Sequence, residues 1–353
     1  MPQEKARIKD IAELAGVSIG TVDRVLHNRG EVAEKTREKV MKISKDLDYS
    51  PNVIARALKS KKNFRVVSLL PRPTDESAFW QKHPEGITKA MSELDPFPIM
   101  LNQVNFDLLD EKDFEKQSQK VISLAPDGVI LAPIFKTQAV TFCNQLSKKK
   151  IPFVFIDGFL EETDFLSYTG EDIFQSGRVA AQLIDLVTPA EKDILIINIT
   201  RNIKNVHHLN KRAQGFMSYF PESGKNRGDL ISMSISDPVA ENVRKELERT
   251  LTKNPDIGSI FVTGSKSYKV ADYLESKGIN SINLIGYDLL ESNVNYLITG
   301  TIKFLIGQRP DEQTYKGIRK LFDYLSMDKV PEKMEYLPID VVTSENVQFF
   351  VKS

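Results

Sequence analysis

Short apolar runs that alternate with amphipathic stretches between residues 65 and 286 constrain the fold of this chain more than any other feature. The apolar runs span residues 65–70, 128–132, 153–156, 194–199, 259–262 and 282–286. Apolar residues recur at helical spacing between them, at 87–94, 115–124, 139–148, 177–186, 239–252 and 270–277. Continuous apolar strands separated by amphipathic helices are typical of parallel sheets covered by helices on both faces. About 290 residues are too many for one core, so we expect two α/β lobes.

The first 62 residues differ from the rest of the chain in charge. They contain 14 Lys and Arg against 9 Asp and Glu, a net charge of +5. Since the whole chain has 48 residues of each class, the remainder holds 34 against 39, a net charge of −5. A basic head on an acidic body is typical of a nucleic-acid-binding protein with a separate second domain.

The residues of this basic head predict a helix-turn-helix. Apolar residues recur at helical spacing at Ile8, Ile11, Ala12 and Ala15. Gly16 ends that helix, and Ser18, a favourable N-cap residue, predicts the start of a second one. The second helix is expected to end before the Asn-Arg-Gly sequence at 28–30, and a third is expected over 35–47. Two short helices joined by a Gly-containing turn place the second helix in the major groove of DNA.

The motifs of common enzyme and membrane classes are absent from the sequence. It contains no GxGxxG and no GxxxxGKS/T, and its GxSxG string at 16–20 lies in the helical head and not at the strand-to-helix turn of a nucleophile elbow. The single cysteine, Cys143, excludes a disulfide framework, and its place in a helical stretch favours packing over catalysis. No run reaches the roughly 18 uncharged apolar residues of a membrane span, and the first ten residues lack the apolar core of a secretory signal. We therefore expect a cytoplasmic, non-enzymatic protein that uses no cofactor and no metal.

One family of DNA-binding proteins matches the head over nearly its whole length. The run IKDIAELAGVS at 8–18 is followed by TV at 21–22, RVL at 24–26, KTREKV at 35–40 and YSPN at 49–52. In these residues the chain resembles the LacI/GalR family of bacterial transcription regulators, densely over 7–62 and more loosely beyond. The resemblance implies an all-α helix-turn-helix headpiece followed by a two-lobed α/β effector domain, periplasmic-binding-protein-like (type I), with parallel sheets.

By this resemblance, DNA is contacted from the second helix, the segments that follow it and a hinge. The candidate residues are Ser18, Ile19, Gly20, Thr21, Arg24, Asn28, Tyr49, Asn52, Ala55, Leu58 and Lys59. Gly20 has no side chain to read a base and Ile19 offers only apolar contact, so Arg24 is the main hydrogen-bonding reader left on the second helix. The chain departs from the family at Asp23, where Ser is usual, and at Ala33, where a missing Ser cap costs ~1 kcal/mol.

The sequence NVIARAL at 52–58 matches the family's hinge helix, which folds on the operator. Leu58 is the candidate wedge in the minor groove, and Ala55 is small enough for two hinge helices to approach closely. Lys59 is suited to phosphate contact. The same segment can be read as a disordered basic linker, so we expect disorder without DNA and a helix with it.

The body matches the family's effector domain at several predicted strand ends. The candidate ligand-binding residues are Phe79, Trp80, Asp157, Arg212, Asp288 and Gln308. Aromatic rings pack on the C–H face of a sugar, while charged and amide groups bind its hydroxyls. The chain departs from related sugar binders at Gly264, at Ala132 and at Glu171-Asp172, so the sugar cannot be carried over. A purine or a sugar phosphate stays open, with Arg212 as its anion partner.

Together these features predict a sequence-specific operator-binding repressor. A small molecule, expected to be a sugar, binds between the lobes of a homodimer subunit and controls the affinity for double-stranded DNA. The alternative is a small-molecule-binding protein without a regulatory role. We expect the helix-turn-helix at 1–50, the hinge at 51–62 and the effector domain at 63–353. The first lobe is expected at 63–160 and 292–330, with Trp80 and Gln308, and the second at 161–291 and 331–353, with Arg212.

Overall fold

The computed structural model describes residues 7–26, 30–47, 62–201, 207–223 and 228–351. The chain divides into two compact units, Met1–Lys61 and Lys62–Ser353. In the part of the chain that the structure describes, no helix is long and apolar enough to cross a membrane. Over the same residues, no cluster of three or more His, Cys, Asp or Glu side chains is arranged to hold a metal ion.

The described residues of the first unit form three helices around a small apolar core. The helices are α1 (Ile8–Ala15), α2 (Ile19–Leu26) and α3 (Glu34–Asp46). Gly16 ends α1 with φ of 67°, a left-handed conformation that glycine adopts without steric cost. Ile11, Val22 and Val40, one from each helix, are fully buried against one another. The helix-turn-helix predicted from the sequence is therefore confirmed.

The first sheet of the second unit has the order β11-β5-β4-β3-β1-β2, and all of its pairings are parallel. Its strands are β1 (Phe64–Pro71), β2 (Ile99–Phe106), β3 (Gly128–Leu131), β4 (Phe153–Ile156), β5 (Ser167–Gly170) and β11 (Met334–Tyr336). A 3-10 helix (Asp75–Lys82) and four helices accompany them, namely α4 (His83–Leu94), α5 (Glu111–Ser123), α6 (Lys136–Lys148) and α12 (Pro310–Met327). Cys143 of α6 is buried in this lobe's core, and burial raises the pKa of its thiol to about 12, as expected of a packing residue.

The second sheet has the order β12-β10-β9-β8-β6-β7, with only the β10–β12 pairing antiparallel within the described residues. Its strands are β6 (Asp193–Ile199), β7 (Leu230–Ile235), β8 (Ile257–Val262), β9 (Asn283–Tyr287), β10 (Ile302–Gly307) and β12 (Asp340–Val342). Its helices are α7 (Ile173–Val187), α8 (His207–Ser223), α9 (Ala240–Lys253), α10 (Ser267–Ser276) and α11 (Glu291–Thr299), and a 3-10 helix (Val347–Phe349) follows. Two parallel sheets flanked by helices confirm the predicted fold class.

The chain passes between the two sheets at other places than the sequence suggested. β5 and β11 belong to the first sheet, whereas β10 belongs to the second. The expected lobe limits were therefore wrong at 161–170, 292–307 and 331–336. Gln308 directly follows β10, so its placement on the first lobe was wrong as well. The short strands β5 and β11 contain polar residues and lack the continuous apolar run by which β1, β3, β4, β6, β8 and β9 were recognised.

Close helix contacts fix the elements that carry the functional residues. A Cβ atom on Gly177 of α7 would lie 2.1 Å from the backbone oxygen of Arg212 in α8, and one on Gly215 would lie 2.0 Å from that of Phe174. In the first lobe, a Cβ atom on Gly86 of α4 would lie 2.0 Å from the backbone oxygen of Asp311 in α12. Only glycine allows backbones to approach this closely, so these positions set the packing of both helix pairs.

Candidate functional site

The predicted reading face of α2 is exposed in the first unit. Ser18, Gly20 and Arg24 are exposed, and the Ile19 side chain is 49% exposed. The hydroxyl of Ser18 accepts a hydrogen bond from the backbone N–H of Thr21 at 3.1 Å, so Ser18 caps the helix as its residue type predicts. Arg24 Nε donates to the backbone oxygen of Gly20 at 3.2 Å. The exposed face of α2 therefore includes Ile19 in its first turn and Arg24 in its last.

The other DNA-contact candidates cannot be placed. Asn28, Tyr49, Asn52, Ala55, Leu58 and Lys59 lie outside the described residues. Ala33 is the N-cap residue of α3 and makes no side-chain capping hydrogen bond, in agreement with the departure noted in the sequence.

A cavity of about 400 Å³ in the second unit is lined by all six ligand-binding candidates. Asp157 follows β4, Asp288 follows β9 and Gln308 follows β10, so all three stand at carboxyl ends of strands. Phe79 and Trp80 lie in the 3-10 helix after β1, and Arg212 lies on α8. Ligands of open α/β sheets bind beyond the carboxyl ends of strands, and this cavity occupies that place in both sheets. Residues more than 200 positions apart are thus brought to one site.

Arg212 is the centre of a buried polar network at this cavity. Its Nε donates to Glu171 Oε1 at 2.9 Å, and its Nη1 donates to the backbone oxygen of Thr263 at 3.0 Å. Its Nη2 donates both to Glu171 Oε1 and to Gln308 Oε1. Its Cζ also lies 4.0 Å from the ring centroid of Tyr287. Four of the five guanidinium hydrogens thus have partners among the described residues, which leaves one on Nη1 for a ligand.

The network continues to Asp288 and leaves several acceptors without a partner. Gln308 Nε2 donates to Asp288 Oδ1 at 2.7 Å. Within the described residues no hydrogen bond reaches the other oxygen of Asp288 or the side chain of Asp157, and Glu171 Oε2 is buried without a partner. The backbone N–H of Asp157 is held by Gln313 Oε1 at 2.7 Å. The site therefore offers acceptors in excess of donors.

Burial shifts the titration of these carboxyl groups. Desolvation raises the pKa of Asp157 to about 6, with Glu171 adding to the rise and Arg212 opposing it. Desolvation raises the pKa of Asp288 to about 7, opposed by Arg212 and by the Gln308 hydrogen bond, while Glu171 and Asp157 add to it. The pKa of Glu171 is also raised by burial, against the attraction of Arg212. Three carboxyl groups therefore share one guanidinium in a poorly solvated place.

An aromatic wall closes one side of the cavity. The Trp80 side chain is 4% exposed and stacks on the His83 ring, with centroids 4.5 Å apart and planes at 18°. Phe79 meets Trp80 edge to face with centroids 5.2 Å apart. The Nδ1 of His83 is 2.5 Å from Thr314 Oγ1, and burial lowers the pKa of its ring to about 3, so the ring is neutral. The neutral imidazole of His83 thus packs against the face of the Trp80 indole.

Sequence reasoning missed some of these groups. Glu171 was noted only as a departure from the family, yet it is the ion-pair partner of Arg212. In the open alternative of a purine or a sugar phosphate, Arg212 was the anion partner, but Glu171 already neutralises its charge. Helix α8 was also missed, although Leu209, Ala213, Phe216 and Phe220 recur at helical spacing and are buried. That spacing was the available signal, whereas nothing in the sequence pairs Glu171 with a residue 41 positions away.

Comparisons with known proteins agree with the fold of both units. Residues 7–52 match the model of bacterial regulatory proteins of the lacI family, and residues 67–329 match a periplasmic binding protein domain. The ribose operon repressor of Lactococcus lactis subsp. lactis (strain IL1403) is 26% identical over 351 residues, covering 97% of this chain and 98% of that protein. The transcriptional regulator MalR of Streptococcus pneumoniae is 30% identical over 300 residues, covering 82% of this chain and 85% of that protein.

A solved structure supports the same fold and the same family. The crystal structure of a Bacteroides fragilis protein assigned to the LacI transcriptional regulators superposes with a TM-score of 0.76 at 29% identity. The match covers 82% of this chain and 99% of that one. With a matching headpiece, a matching effector-type domain and relatives aligned along most of its length, this chain belongs to the LacI family of bacterial regulatory proteins.

Proposed function

We propose that this protein is a transcriptional repressor that binds operator DNA through α2. A carbohydrate bound in the cavity raises or lowers the affinity for that DNA. The observation that carries the proposal is the convergence of Trp80, Asp157, Arg212, Asp288 and Gln308, drawn from both sheets, around one cavity. An apolar wall opposite convergent polar groups is what a sugar requires. The relative named as a ribose operon repressor supports a carbohydrate as the effector class.

In this proposal, the exposed face of α2 contacts the bases of the operator. Arg24 offers the bidentate donor that suits guanine, and Ile19 suits a thymine methyl group. The six candidates outside the described residues, Leu58 among them, would supply the hinge and phosphate contacts. The protein acts as a cytoplasmic homodimer, since a two-fold pair of headpieces reads two half-sites of a palindromic operator.

Control of DNA binding follows from the position of the cavity between two sheets that are joined by crossover segments. A ligand that contacts both lobes stabilises one relative orientation of the lobes over others. A change in the relative orientation of the lobes would change the spacing of the two hinge segments in a dimer and therefore the affinity for the operator. The ligand can shift this equilibrium only by its differential affinity for the two states.

A thermal-unfolding screen of the full chain against a carbohydrate library tests the effector class. A carbohydrate at 100 times its dissociation constant should add roughly 2.7 kcal/mol to the free energy of unfolding. Selection of binding sites from random duplex DNA tests the other half of the proposal. Recovery of a palindromic consensus supports an operator-binding repressor, whereas binding without sequence preference would point to a carbohydrate-binding protein with no regulatory role.

A further inference from the structure

Next to Arg212 the acidic side chains outnumber the cation, although Arg72, Arg201 and Lys266 also line the cavity. Asp157, Glu171 and Asp288 surround Arg212, and Glu171 alone neutralises that guanidinium through its ion pair. With every group ionised the four side chains carry a net charge of −2. Burying like charges without compensation is costly, so this arrangement points to something that arrives with the ligand.

The other cations that line the cavity do not supply the missing charge. Arg72 and Arg201 are exposed and Lys266 is half-buried, whereas the Asp288 side chain is only 5% exposed. Among the described residues, Arg212 is the only cation whose charge acts on the carboxyl group of Asp157. Asp157 in turn acts on Asp288, which places the two carboxyl groups within electrostatic reach of each other.

The carboxyl groups of Asp157 and Asp288 have fewer hydrogen-bond donors around them than their oxygens can accept. The side chain of Asp157 has no partner within the described residues, and one oxygen of Asp288 is likewise unsatisfied there. The only donor left on Arg212 is one hydrogen of Nη1. A ligand must therefore bring several donors and no concentrated negative charge. A phosphate group between Asp157 and Asp288 would be repelled by the two carboxylates.

We propose that the effector is an amino sugar whose ammonium group binds between Asp157 and Asp288. The ammonium supplies three donors and the positive charge that the cavity lacks, while the sugar ring packs against Trp80 and its remaining hydroxyls reach Gln308 and Arg212. This inference rests on the proposed function, in which the cavity is the effector site. It names the chemical class of carbohydrate that the cavity selects.

Isothermal titration calorimetry of the full chain tests this selectivity with matched sugars. Glucosamine, galactosamine and mannosamine are each compared with the neutral hexose, the N-acetylated sugar and the hexose 6-phosphate of the same configuration. A hydrogen bond to a charged group stabilises a complex more than a neutral hydrogen bond does. The difference in free energy corresponds to about tenfold in affinity. At least one amino sugar should therefore bind about tenfold more tightly than its three counterparts.

Variants locate the effect. Asp157→Asn and Asp288→Asn, which keep the shape of the side chain, should each reduce the preference for the amino sugar to within about threefold, because a neutral amide loses the ionic part of the interaction. Asp164→Asn, which alters an exposed carboxyl group of the same lobe as Asp157, serves as the matched control and should keep the preference. Circular dichroism checks folding, and if one variant fails to fold the other still decides.

Proton release gives an independent readout. Asp288 is partly protonated near neutral pH, since its pKa is raised to about 7, and a bound ammonium would drive that proton off. Titrations at pH 6.5 in buffers of different ionisation enthalpy should show proton release with the amino sugar and clearly less with Asp288→Asn, in which Asp157, with a pKa of about 6, still releases protons.

The outcomes separate this inference from the function on which it rests. Tighter binding of a neutral, acetylated or phosphorylated sugar than of its amino counterpart would overturn the inference and leave the carbohydrate-responsive repressor in place. Failure of every sugar in the panel to bind would overturn the inference, and failure of the whole carbohydrate library to stabilise the protein would overturn the proposed function as well.

Discussion

Asp157 and Asp288 occupy equivalent places in the two lobes, because β4 and β9 are both third in the order of their sheets. Both residues have a positive φ, 65° and 71° respectively. Asp tolerates this left-handed region better than most residues with a Cβ atom. The sequence identified both positions through the family motif. It gave no indication of their conformation, their burial or their influence on each other's charge, because these depend on segments distant in sequence.

The raised pKa of Asp288 makes a prediction about stability. In the folded protein this pKa is about 7, against about 3.9 for an unfolded Asp. Between these values the folded state binds more protons than the unfolded state, so the contribution of Asp288 to the free energy of unfolding falls as pH rises from about 4 to about 7. Asp288→Asn removes this contribution. Its free energy of unfolding relative to wild type should therefore rise over that window, by a few kcal/mol at most, and stay level above it.

Denaturant unfolding at a series of pH values measures that difference. The exposed-surface variant Asp164→Asn provides the control. A pH-independent difference for Asp288→Asn would show that the carboxyl group titrates normally in the fold.

Arg24 makes a second prediction at this scale. Arg24→Ala should weaken binding to the selected operator by roughly 1–3 kcal/mol and relax the preference at one base pair, because Arg24 is the main hydrogen-bonding reader on α2. Lys59→Ala should instead weaken binding to all DNA sequences and reduce the salt dependence. Fluorescence anisotropy with operator and random duplexes measures both. Equal losses on the two duplexes for Arg24→Ala would rule out its role in base reading.

At the scale of elements, apolar pattern predicted the buried strands and left the less regular elements unrecognised. β1, β3, β4, β6, β8 and β9 lie at the predicted runs within one or two residues. The short strands β5 and β11 were missed because their neighbours in the sheet, rather than their own apolar content, stabilise them. Helix α12 was missed because its buried face includes Gln313 and Thr314, which the pattern treats as polar surface. The crossover limits depended on these elements and were wrong for that reason.

The contact between α7 and α8 yields a prediction about packing. Gly177→Ala would place a Cβ atom 2.1 Å from the backbone oxygen of Arg212, so the two helices must separate. Overpacking of this kind costs typically 1–3 kcal/mol in the free energy of unfolding. Because α8 carries Arg212, ligand affinity should fall as well.

Gly158→Ala is the control for that change, since the nearest atom to its Cβ lies 4.0 Å away. Thermal unfolding and calorimetric titration with the stabilising sugar compare the two variants. If Gly177→Ala proved as stable as Gly158→Ala, the close helix contact would not be a determinant of the site.

At the scale of the whole molecule, the sequence predicted which residues line the cavity but not which ion pairs and stacking contacts they form. All six ligand candidates line one cavity, because family motifs mark strand ends and parallel sheets bring strand ends together. The pairing of Arg212 with Glu171 and the stacking of His83 behind Trp80 could not be predicted, since neither follows from local pattern. The ion pair neutralises the Arg212 guanidinium, whereas the neutral His83 ring adds no charge to the cavity. The chain's two functions, DNA reading and ligand binding, reside in separate units.

The most direct test of the account is the affinity of the full chain for its selected operator, measured by fluorescence anisotropy with and without the sugar that stabilises the protein. Wild type should change its affinity at least about tenfold when the sugar is present, a typical coupling between two linked sites. Asp288→Ala, shown to be folded, should bind the operator as the sugar-free wild type does and should not respond to the sugar. An unchanged operator affinity of wild type at saturating sugar, or a normal sugar response of Asp288→Ala, would contradict control of DNA binding from this cavity.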